Sequence, residues 1–340
     1  MPRKNVRRWV IGLLLVGAAV GGARWRLGPP IPVQEIRLRS SSFFPTQFPI
    51  PIRQPGQYRL MSDLVVTDRD DDAIQILTYG VVVDLNGFTI TGPQQGGHGR
   101  GVSTGGVDRN YITVRNGVIA GFGGGGVSLP GRYQRVANLH VYKNRGDGIA
   151  VGPHSVVVEN HVIGNGGGLN VSRGESLILR NIIRRNGGHG IDGGGESWVE
   201  QNTIEDNDGE GIFVTVGSLL RGNIVRRSGR NGLLLGTFTT VADNEIRGSR
   251  EAGVMTYGKS NRIIGNLIKD NLGAGAKLSG PDNYIARNTF QSNATGALTA
   301  ATDDTIARNE QANIFLLDSG ELDGAGVTRG DTRQAEAWSQ

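Results

Sequence analysis

The side chains with the most obvious chemistry occupy two positions around a recurring Gly–apolar pair. Asp147, His189 and Glu210 come directly before the glycine, and Asn170 and Asp192 come two residues after it. Carboxylates beside an imidazole are a side-chain set that general acid–base catalysis uses. We therefore predict Asp147, His189, Asp192 and Glu210 as catalytic residues. A purely structural role is the alternative, because turns favour short polar residues in any case.

These residues belong to a repeat of 21–22 residues that asparagine marks along most of the chain. Apolar residues keep phase with the asparagine, three residues before it and two after it, and a third apolar set follows a glycine, as in Gly190-Ile191. Each unit therefore holds three short β-rich runs with Gly or Asn turns between them, and no run is long enough for a helix. The asparagines are Asn116, Asn138, Asn160, Asn181, Asn202, Asn223, Asn244, Asn266, Asn288 and Asn309.

The repeat predicts an all-β fold, a right-handed parallel β-helix (solenoid) of about ten to eleven coils of 21–22 residues. A unit of this length cannot bury its apolar face alone, so it must stack on its neighbours, with each strand about 4.8 Å from its equivalent in the next coil. The right hand follows from the usual hand of parallel crossovers. Stacked asparagine amides can bond to one another at the turns. A leucine-rich horseshoe has a similar period but needs a Leu-x-x-Leu-x-Leu pattern that is not visible.

A family resemblance supports this fold. The unit from Asn202 to Ile212 reads Asn-x-Ile-x-x-Asn-x-x-x-Gly-Ile, and the stretches 55–60 and 83–90 read Pro-Gly-Gln-Tyr-Arg-Leu and Val-Asp-Leu-Asn-Gly-Phe-Thr-Ile. These motifs resemble right-handed parallel β-helix proteins of the pectate-lyase-like superfamily, including exported bacterial members. The resemblance covers roughly residues 50–315, and it implies a fold more specifically than an activity.

Two shorter motifs bear on enzymatic activity. Gly188-His189-Gly190-Ile191 resembles the Gly-His-Gly motif of polygalacturonases, and Asp147 lies in the column of their paired aspartates. The pair is single here, because position 146 is Gly, and the Asn-Thr-Asp and Arg-Ile-Lys motifs are missing. Gly152-Pro153-His154-Ser155 resembles the Asp-Pro-His-Asp motif of mannuronan epimerases without its carboxylates. If the protein is an enzyme, the resemblance leaves polysaccharide lyase, glycoside hydrolase and epimerase activities open.

Both ends of the chain differ from the repeat. Arg3, Lys4, Arg7 and Arg8 precede an apolar run from residue 9 to residue 23, which is the pattern of an export signal. The run is short for a membrane span of about 20 residues, so a cleaved signal peptide and a retained N-terminal anchor both stay open for residues 1–23. We expect a linker and N-terminal cap at 24–50, the solenoid at 51–315, and a C-terminal cap and polar tail at 316–340. The export pattern predicts that the protein is periplasmic, secreted or anchored to the membrane by its N-terminal segment.

Composition excludes several classes of protein. The 55 glycines among 340 residues are about twice the usual share of roughly 7% and argue against helical bundles. The absence of cysteine excludes disulfide scaffolds and thiolate metal sites. The net charge is +5, of which residues 1–23 carry four positive charges and no acid, so the remaining domain is nearly neutral and no nucleic-acid partner is expected.

The sequence predicts no metal site and no cofactor. His98, His140 and His161 stand isolated, and no histidine pair has the spacing of a metal site. Calcium is a minor alternative, for which only Asp192 and Glu210 provide acids in adjacent coils.

Charged residues also recur in register. Arg184 and Arg185, Glu205 and Asp206, and Arg226 and Arg227 fall in successive units and predict a ladder of ion pairs. We then interpret Arg226, Arg247 and Lys269 as a stripe of one sign with no acid between them. Such a stripe favours an acidic polysaccharide as partner, although a solvated stripe is the plain alternative. The predicted substrate-binding residues are Arg100, Asn170, Arg226, Arg247 and Lys269.

These observations predict that the protein recognises a polysaccharide along a groove of the solenoid, outside the cytoplasm. Whether it also cleaves or epimerises the polysaccharide chain stays open. The competing hypothesis is a non-catalytic cell-envelope scaffold or adhesion module. Contact with a membrane is expected only through the N-terminal segment.

Overall fold

The computed structural model describes residues 33–36, 47–94, 96–171, 173–300, 303–307 and 309–311. Within these ranges the chain forms strands, turns and bends but no helix, and every strand pairing is parallel. Consequently no described helix is long and apolar enough to cross a membrane. The predicted export segment at 1–23 and the predicted tail at 316–340 lie outside the described residues.

The chain winds into a parallel β-helix with three faces, as the repeat predicts. We call the 12-stranded sheet face 1, and it has one strand per coil, so the described residues make about twelve coils. In chain order the strands of face 1 are Ile50–Ile52, Ile74–Ile76, Arg100–Ser103, Gly125–Leu129, Asp147–Val151, Gly167–Val171, Ile191–Asp192, Ile212–Val216, Leu233–Thr237, Val254–Thr256, Ala276–Leu278 and Leu298–Thr299.

The other 23 strands form a second sheet that bends into faces 2 and 3. Ile112–Ala120 and Arg135–Tyr142 run through both faces. The remaining strands of face 2 are Val33–Ile36, Gly56–Leu60, Val81–Asp84, Val156–Val158, Leu177–Leu179, Trp198–Glu200, Leu219–Arg221, Thr240–Ala242, Arg262–Ile264, Tyr284–Ala286 and Thr305–Ala307. The remaining strands of face 3 are Leu64–Val65, Thr89–Thr91, His161–Ile163, Ile182–Arg184, Thr203–Glu205, Ile224–Arg226, Glu245–Arg247, Leu267–Lys269, Thr289–Gln291 and Glu310–Gln311.

Apolar residues from all three faces point inward, and several strands of face 1 contribute two, such as Ile212 and Val214. In the coil after His189 these are Ile191, Val199 and Ile204, all fully buried. Because side chains alternate along a strand, their neighbours point to solvent. Stacking the coils joins the inward residues into one continuous core and leaves the alternate positions free to carry function.

Buried asparagines hold the corner between faces 2 and 3. The side chain of Asn202 accepts hydrogen bonds from the backbone N–H and the amide of Asn181, at 2.9 and 3.0 Å. Its own amide donates to the side-chain oxygen of Asn223 at 3.0 Å and to the carbonyl of Ile178 at 2.9 Å. The predicted stacking of amides is therefore confirmed, and it satisfies backbone groups that the corner would otherwise bury unpaired.

Two of the asparagines in the sequence repeat lie outside this ladder. Asn138 is exposed with φ 54°, and it is Leu139 whose backbone N–H donates to the side chain of Asn160, at 3.0 Å. Asn116 has a similar φ of 60°. Asparagine suits the left-handed backbone just before the buried position as well as the buried position itself, so the first two members of the repeat are one residue out of phase.

The glycine of each Gly–apolar pair is required by close packing between coils. A Cβ atom on Gly211 would lie 2.5 Å from the carbonyl oxygen of Gly232 and 2.4 Å from a methyl group of Val225. A Cβ atom on Gly190 or Gly232 would meet the equivalent atoms, which are the carbonyl oxygen of the glycine in the next coil and a methyl group of an isoleucine. Close packing between coils, at the point where the chain enters face 1, therefore explains part of the high glycine content.

Candidate functional site

The outer surface of face 1 carries the largest part of the predicted site. Ala150, Asn170, Asp192 and Phe213 are successive register partners, one per coil. Equivalent strands lie about 4.8 Å apart, so these side chains form a short column along the helix axis. Asn170, Asp192 and Phe213 are all half-buried, which leaves their outer edges accessible.

Asp147 is joined to this column through Asn170. The amide nitrogen of Asn170 donates a hydrogen bond to a carboxylate oxygen of Asp147 at 3.1 Å. Asp147 pairs in register with Gly167, which has no side chain to cover it. The carboxylate of Asp147 therefore stays half-exposed beside the amide.

His189 is oriented by the coil that follows it. Its Nδ1 accepts a hydrogen bond from the backbone N–H of Glu210 at 3.0 Å. A neutral imidazole that accepts at Nδ1 carries its proton on Nε2. His189 can therefore act as a hydrogen-bond donor through Nε2, and its ring centroid lies 5.9 Å from that of Phe213.

The environment of Asp192 favours its acid form more than an exposed position would. Burial raises the pKa of this carboxyl above its ordinary value, and the nearby charge of Asp147 acts in the same direction. The backbone N–H of Gly194, which donates to the carboxylate at 3.3 Å, and His189 lower the pKa by less. A carboxyl group with a raised pKa keeps more of its acid form toward neutral pH and can serve as a proton donor.

Aromatic rings extend the column beyond Asp192. Phe213 is its register partner, and the ring of Tyr257 lies 6.2 Å from that of Phe213 between centroids. Tyr257 is about half exposed. Burial and the charge of Asp192 raise the pKa of its hydroxyl, so the group stays protonated. Neither ring was predicted as part of the site, although Phe213 occupies the same repeat position as Asp192.

A depression of about 270 Å³ adjoins the column at the end of face 1. Arg173, Glu175 and Glu196 are among its lining residues, and Gly194, which binds Asp192, lines it as well. Glu175 also pairs with His154 at 2.8 Å. The pattern around His154 that resembles an epimerase motif therefore lies at a corner, where the imidazole contacts Glu175.

The side chain of Glu210 is buried between coils, whereas the sequence predicted that it faces the solvent. Its side chain is fully buried, and one carboxylate oxygen accepts a hydrogen bond from the backbone N–H of Asn231 at 2.7 Å. The other oxygen lies 3.4 Å from Nε of Arg230. Asn231 does the same in the next coil, where its side-chain oxygen accepts from the N–H of Ala252 at 3.0 Å. The position before the glycine is thus a corner where an acceptor turns inward.

The predicted substrate-binding residues divide between two surfaces. Asn170 lies in the column, and Arg100 lies on face 1 toward the N-terminus, in a strand that pairs with Gly125–Leu129. Arg226, Arg247 and Lys269 are register partners on face 3. The structure therefore does not bring these three cations together with the column on face 1.

The stripe on face 3 is interrupted by an acid that the sequence analysis overlooked. One oxygen of Glu245 lies 3.2 Å from Arg226 and 3.1 Å from Arg247. The interpretation of a stripe without an intervening acid is thus wrong for these two arginines. Glu245 stands two residues before Arg247, and a spacing of two puts both side chains on the same side of a strand.

The predicted ion-pair ladder beside it is confirmed. Glu205 lies 3.1 Å from Arg184 and 3.3 Å from Arg226, and Asp206 lies 2.6 Å from Arg227. The arginine side chains are partly or largely exposed, so each pair contributes only about 0–1 kcal/mol.

Two histidines that stand isolated in the sequence are neighbours in the structure. His140 and His161 are register partners on face 3, with ring centroids 4.4 Å apart. Burial lowers the pKa of His161, and the charges of His140 and Arg184 act in the same direction. Among the described residues no group of three or more His, Cys, Asp or Glu side chains could hold a metal ion.

Two protein families match the sequence. The family described as "Right handed beta helix region" matches residues 61–197 and 100–240, together more than half of the chain. The family described as "Periplasmic copper-binding protein (NosD)" matches residues 215–315. That segment contains no histidine and no cysteine, and Met255 is its one thioether, so its side chains do not fit a copper site. No curated protein sequence matches the chain.

Solved structures of low sequence identity share the fold. The A-module of mannuronan C-5 epimerase AlgE6 from Azotobacter vinelandii superposes with a TM-score of 0.62 at 15% identity, over 81% of this chain and 88% of that one. A double mutant of the periplasmic alginate epimerase AlgG gives 0.58 at 12% identity, over 81% and 83%. The catalytic unit of a GH87 α-1,3-glucanase from Streptomyces thermodiastaticus strain HF3-3 gives 0.50 at 15% identity, over 83% and 64%.

The three-faced parallel winding, the family match over more than half of the chain and the shared fold of these structures agree with one another. The chain therefore belongs to the family of right-handed β-helix proteins.

Proposed function

We propose that the protein recognises a polysaccharide on the outer surface of face 1. The observation that carries the proposal is the column in which the amide and carboxyl groups of Asn170 and Asp192 continue directly into the ring of Phe213. Polar groups that converge beside aromatic surface are the usual lining of a ligand site. An open column that crosses successive coils suits an extended chain better than a compact ligand.

The similar structures support the same class of partner. Their names describe a mannuronan epimerase, an alginate epimerase and an α-1,3-glucanase, which all act on polysaccharides. Their likeness to this chain is one of fold, so the partner is argued from the residues on face 1.

The same column offers a route to acid–base chemistry on the bound chain. Asp192 would donate a proton, because its raised pKa favours the acid form. Asp147 would be the base, and it is held beside the column by its hydrogen bond from Asn170. His189 would donate a hydrogen bond from Nε2 to a substrate oxygen. Glu210 has no part in this proposal, since it is buried and bonded to the backbone of Asn231.

We further propose that the protein works outside the cytoplasm. The support is the export pattern of residues 1–23 together with two similar proteins whose names include the word periplasmic.

The test combines binding and turnover. The purified protein is titrated with alginate, polygalacturonate, an α-1,3-glucan and neutral glycans, and the same mixtures are assayed for new reducing ends, for unsaturated uronates and for epimerised residues by NMR. Phe213→Ala should weaken binding about 5-fold, the loss expected from about 1 kcal/mol of aromatic contact. Trp198→Ala, which removes an exposed ring from face 2, is the matched control and should leave binding unchanged.

Asp192→Asn separates recognition from catalysis. Loss of turnover with retained binding supports an enzyme with Asp192 as its acid, while binding without turnover in the wild type supports the scaffold or adhesion role. The absence of binding to every glycan, or equal effects of Phe213→Ala and Trp198→Ala, would refute the proposed site.

A further inference from the structure

The neighbouring histidines of face 3 lie on a different surface from the column on face 1. The strands Arg135–Tyr142 and His161–Ile163 pair in parallel and place His140 directly beside His161. The planes of the two rings are inclined by 35°. His140 is exposed and His161 is partly exposed, so solutes in the solvent can reach both imidazoles.

Nothing in the same column competes for the ring nitrogens. Val118 precedes His140 in register and Ile182 follows His161, so apolar side chains border the pair on both sides. Within the ranges that the structure describes, no hydrogen bond or ion pair engages either ring, whose contact is with the other ring. The positive charge of Arg184 acts on His161, and Glu205 pairs with that arginine at 3.1 Å.

We propose that His140 and His161 together bind one divalent ion of a late first-row transition metal, such as Cu²⁺ or Ni²⁺. Imidazole nitrogen is a preferred donor for these ions. Metal–nitrogen bonds of about 2.0–2.1 Å mean that two nitrogens on one ion lie no more than about 4 Å apart. Rings whose centroids are 4.4 Å apart can meet this condition once their side chains rotate so that one nitrogen of each ring points at the ion.

Water molecules would complete the coordination, because among the described residues no third His, Cys, Asp or Glu side chain joins the pair. The site is separate from the segment 215–315 that matches the copper-binding family. A bound ion would cross-link two successive coils of the solenoid, and it would leave the column on face 1 untouched.

The test uses the untagged full-length protein, stripped with a chelator, and titrates it with CuCl₂ or NiCl₂ by calorimetry. We expect one ion per chain. His140→Ala and His161→Gln should each weaken binding at least tenfold, because even the loss of a group that merely supports a metal ligand costs about 10- to 100-fold. His98→Ala, which removes another exposed histidine, paired with Asp70, is the matched control and should bind like the wild type.

A gain-of-function variant tests the geometry directly. Ile182 follows His161 in register, so Ile182→His adds a third imidazole to the row and should tighten binding at least tenfold. Electron paramagnetic resonance of the Cu²⁺ complex should show coupling to two nitrogens in the wild type and to fewer in His140→Ala. Thermal unfolding without metal checks that each variant is folded.

Several results would overturn the proposal. They are a dissociation constant that is unchanged in both histidine variants, an effect of one histidine without the other, an equal loss in His98→Ala, or no binding below millimolar concentration. In each of these cases the two rings are only a stacked pair.

Discussion

Replacement of Asn202 by alanine tests whether the buried amide ladder holds the solenoid together. The substitution removes the acceptor of the buried backbone N–H of Asn181, which lies 2.9 Å from the side-chain oxygen. It also removes the amide that donates to the carbonyls of Ile178 and Glu200 at 2.9 and 3.0 Å. Asn202 is almost completely buried, so water cannot replace these bonds without opening the corner.

The magnitude follows from these contacts. A buried donor left without its partner costs about 1–3 kcal/mol, and each of the two lost carbonyl bonds costs about 0.5–1.5 kcal/mol. The expected loss in the free energy of unfolding is about 2–6 kcal/mol, and a loss near 4 kcal/mol lowers Tm by roughly 8–16 °C for a domain of this size. Because each coil contacts only its neighbours, hydrogen exchange should show that the loss is largest in the coils on either side.

Asn138→Gly is the control for an asparagine outside the ladder. Asn138 is exposed, and its φ of 54° is a conformation that glycine adopts readily, so this variant should unfold within about 2 °C of the wild type by the same scale. Thermal and urea unfolding of both variants, followed by circular dichroism, supply the comparison. A Tm shift for Asn202→Ala no larger than that of the control would refute the reasoning.

Further substitutions test the close packing between coils and the candidate site on face 1. Gly211→Ala should destabilise the protein by at least about 1–3 kcal/mol in urea unfolding, because its Cβ meets the carbonyl of Gly232; unchanged stability would mean that the coils are not so closely packed. Glu210→Ala should cost about 1–3 kcal/mol by removing the acceptor of the Asn231 N–H, whereas Glu210→Gln should retain most of it; equal losses would contradict that account. Asp192→Asn should raise Tm at pH 7 relative to the wild type. A carboxyl whose pKa is raised on folding loses stability as pH rises from its unfolded value of about 3.9 through its folded value. The difference should shrink toward pH 4, and a constant difference would refute this cause.

The core and the order of the coils could be predicted from the sequence because one period governs both. Ile191, Val199 and Ile204 each occupy a repeat position that is apolar in coil after coil, and all three are buried. The phase of the first coils could not be predicted in the same way. Asparagine is suited to two adjacent positions of the corner, so Asn138 in the sequence looks the same whichever of the two it occupies.

The direction in which a corner side chain points could not be predicted from the sequence, for a different reason. His189 and Glu210 share one repeat position, yet His189 is half-exposed and Glu210 is fully buried. Both side chains accept a hydrogen bond from the backbone N–H one coil further on, His189 from Glu210 and Glu210 from Asn231, so they differ only in how far the neighbouring residues cover them. This difference depends on the next coil in three dimensions, which a pattern of residue types does not encode.

Other missed contacts were encoded in the repeat. His140 and His161 are separated by 21 residues, which is one coil, so the period itself predicts that their side chains are adjacent. Glu245 and Arg247 share the alternation of one strand. Isolated residues in a solenoid should therefore be compared one period away before they are judged to have no partner.

The inward turn of Glu210 narrows the chemistry that face 1 can perform. Of the four predicted catalytic residues, Asp147, His189 and Asp192 remain accessible, and the two carboxyl groups differ in environment. Asp147 accepts a hydrogen bond from Asn170, whereas burial and the charge of Asp147 favour the protonated form of Asp192. A carboxyl group whose pKa is raised, beside a second carboxylate, is an arrangement that can supply both an acid and a base to one site. The acid–base chemistry proposed for face 1 therefore depends on these two aspartates, which Asn170 links by its hydrogen bond to Asp147 and its register pairing with Asp192.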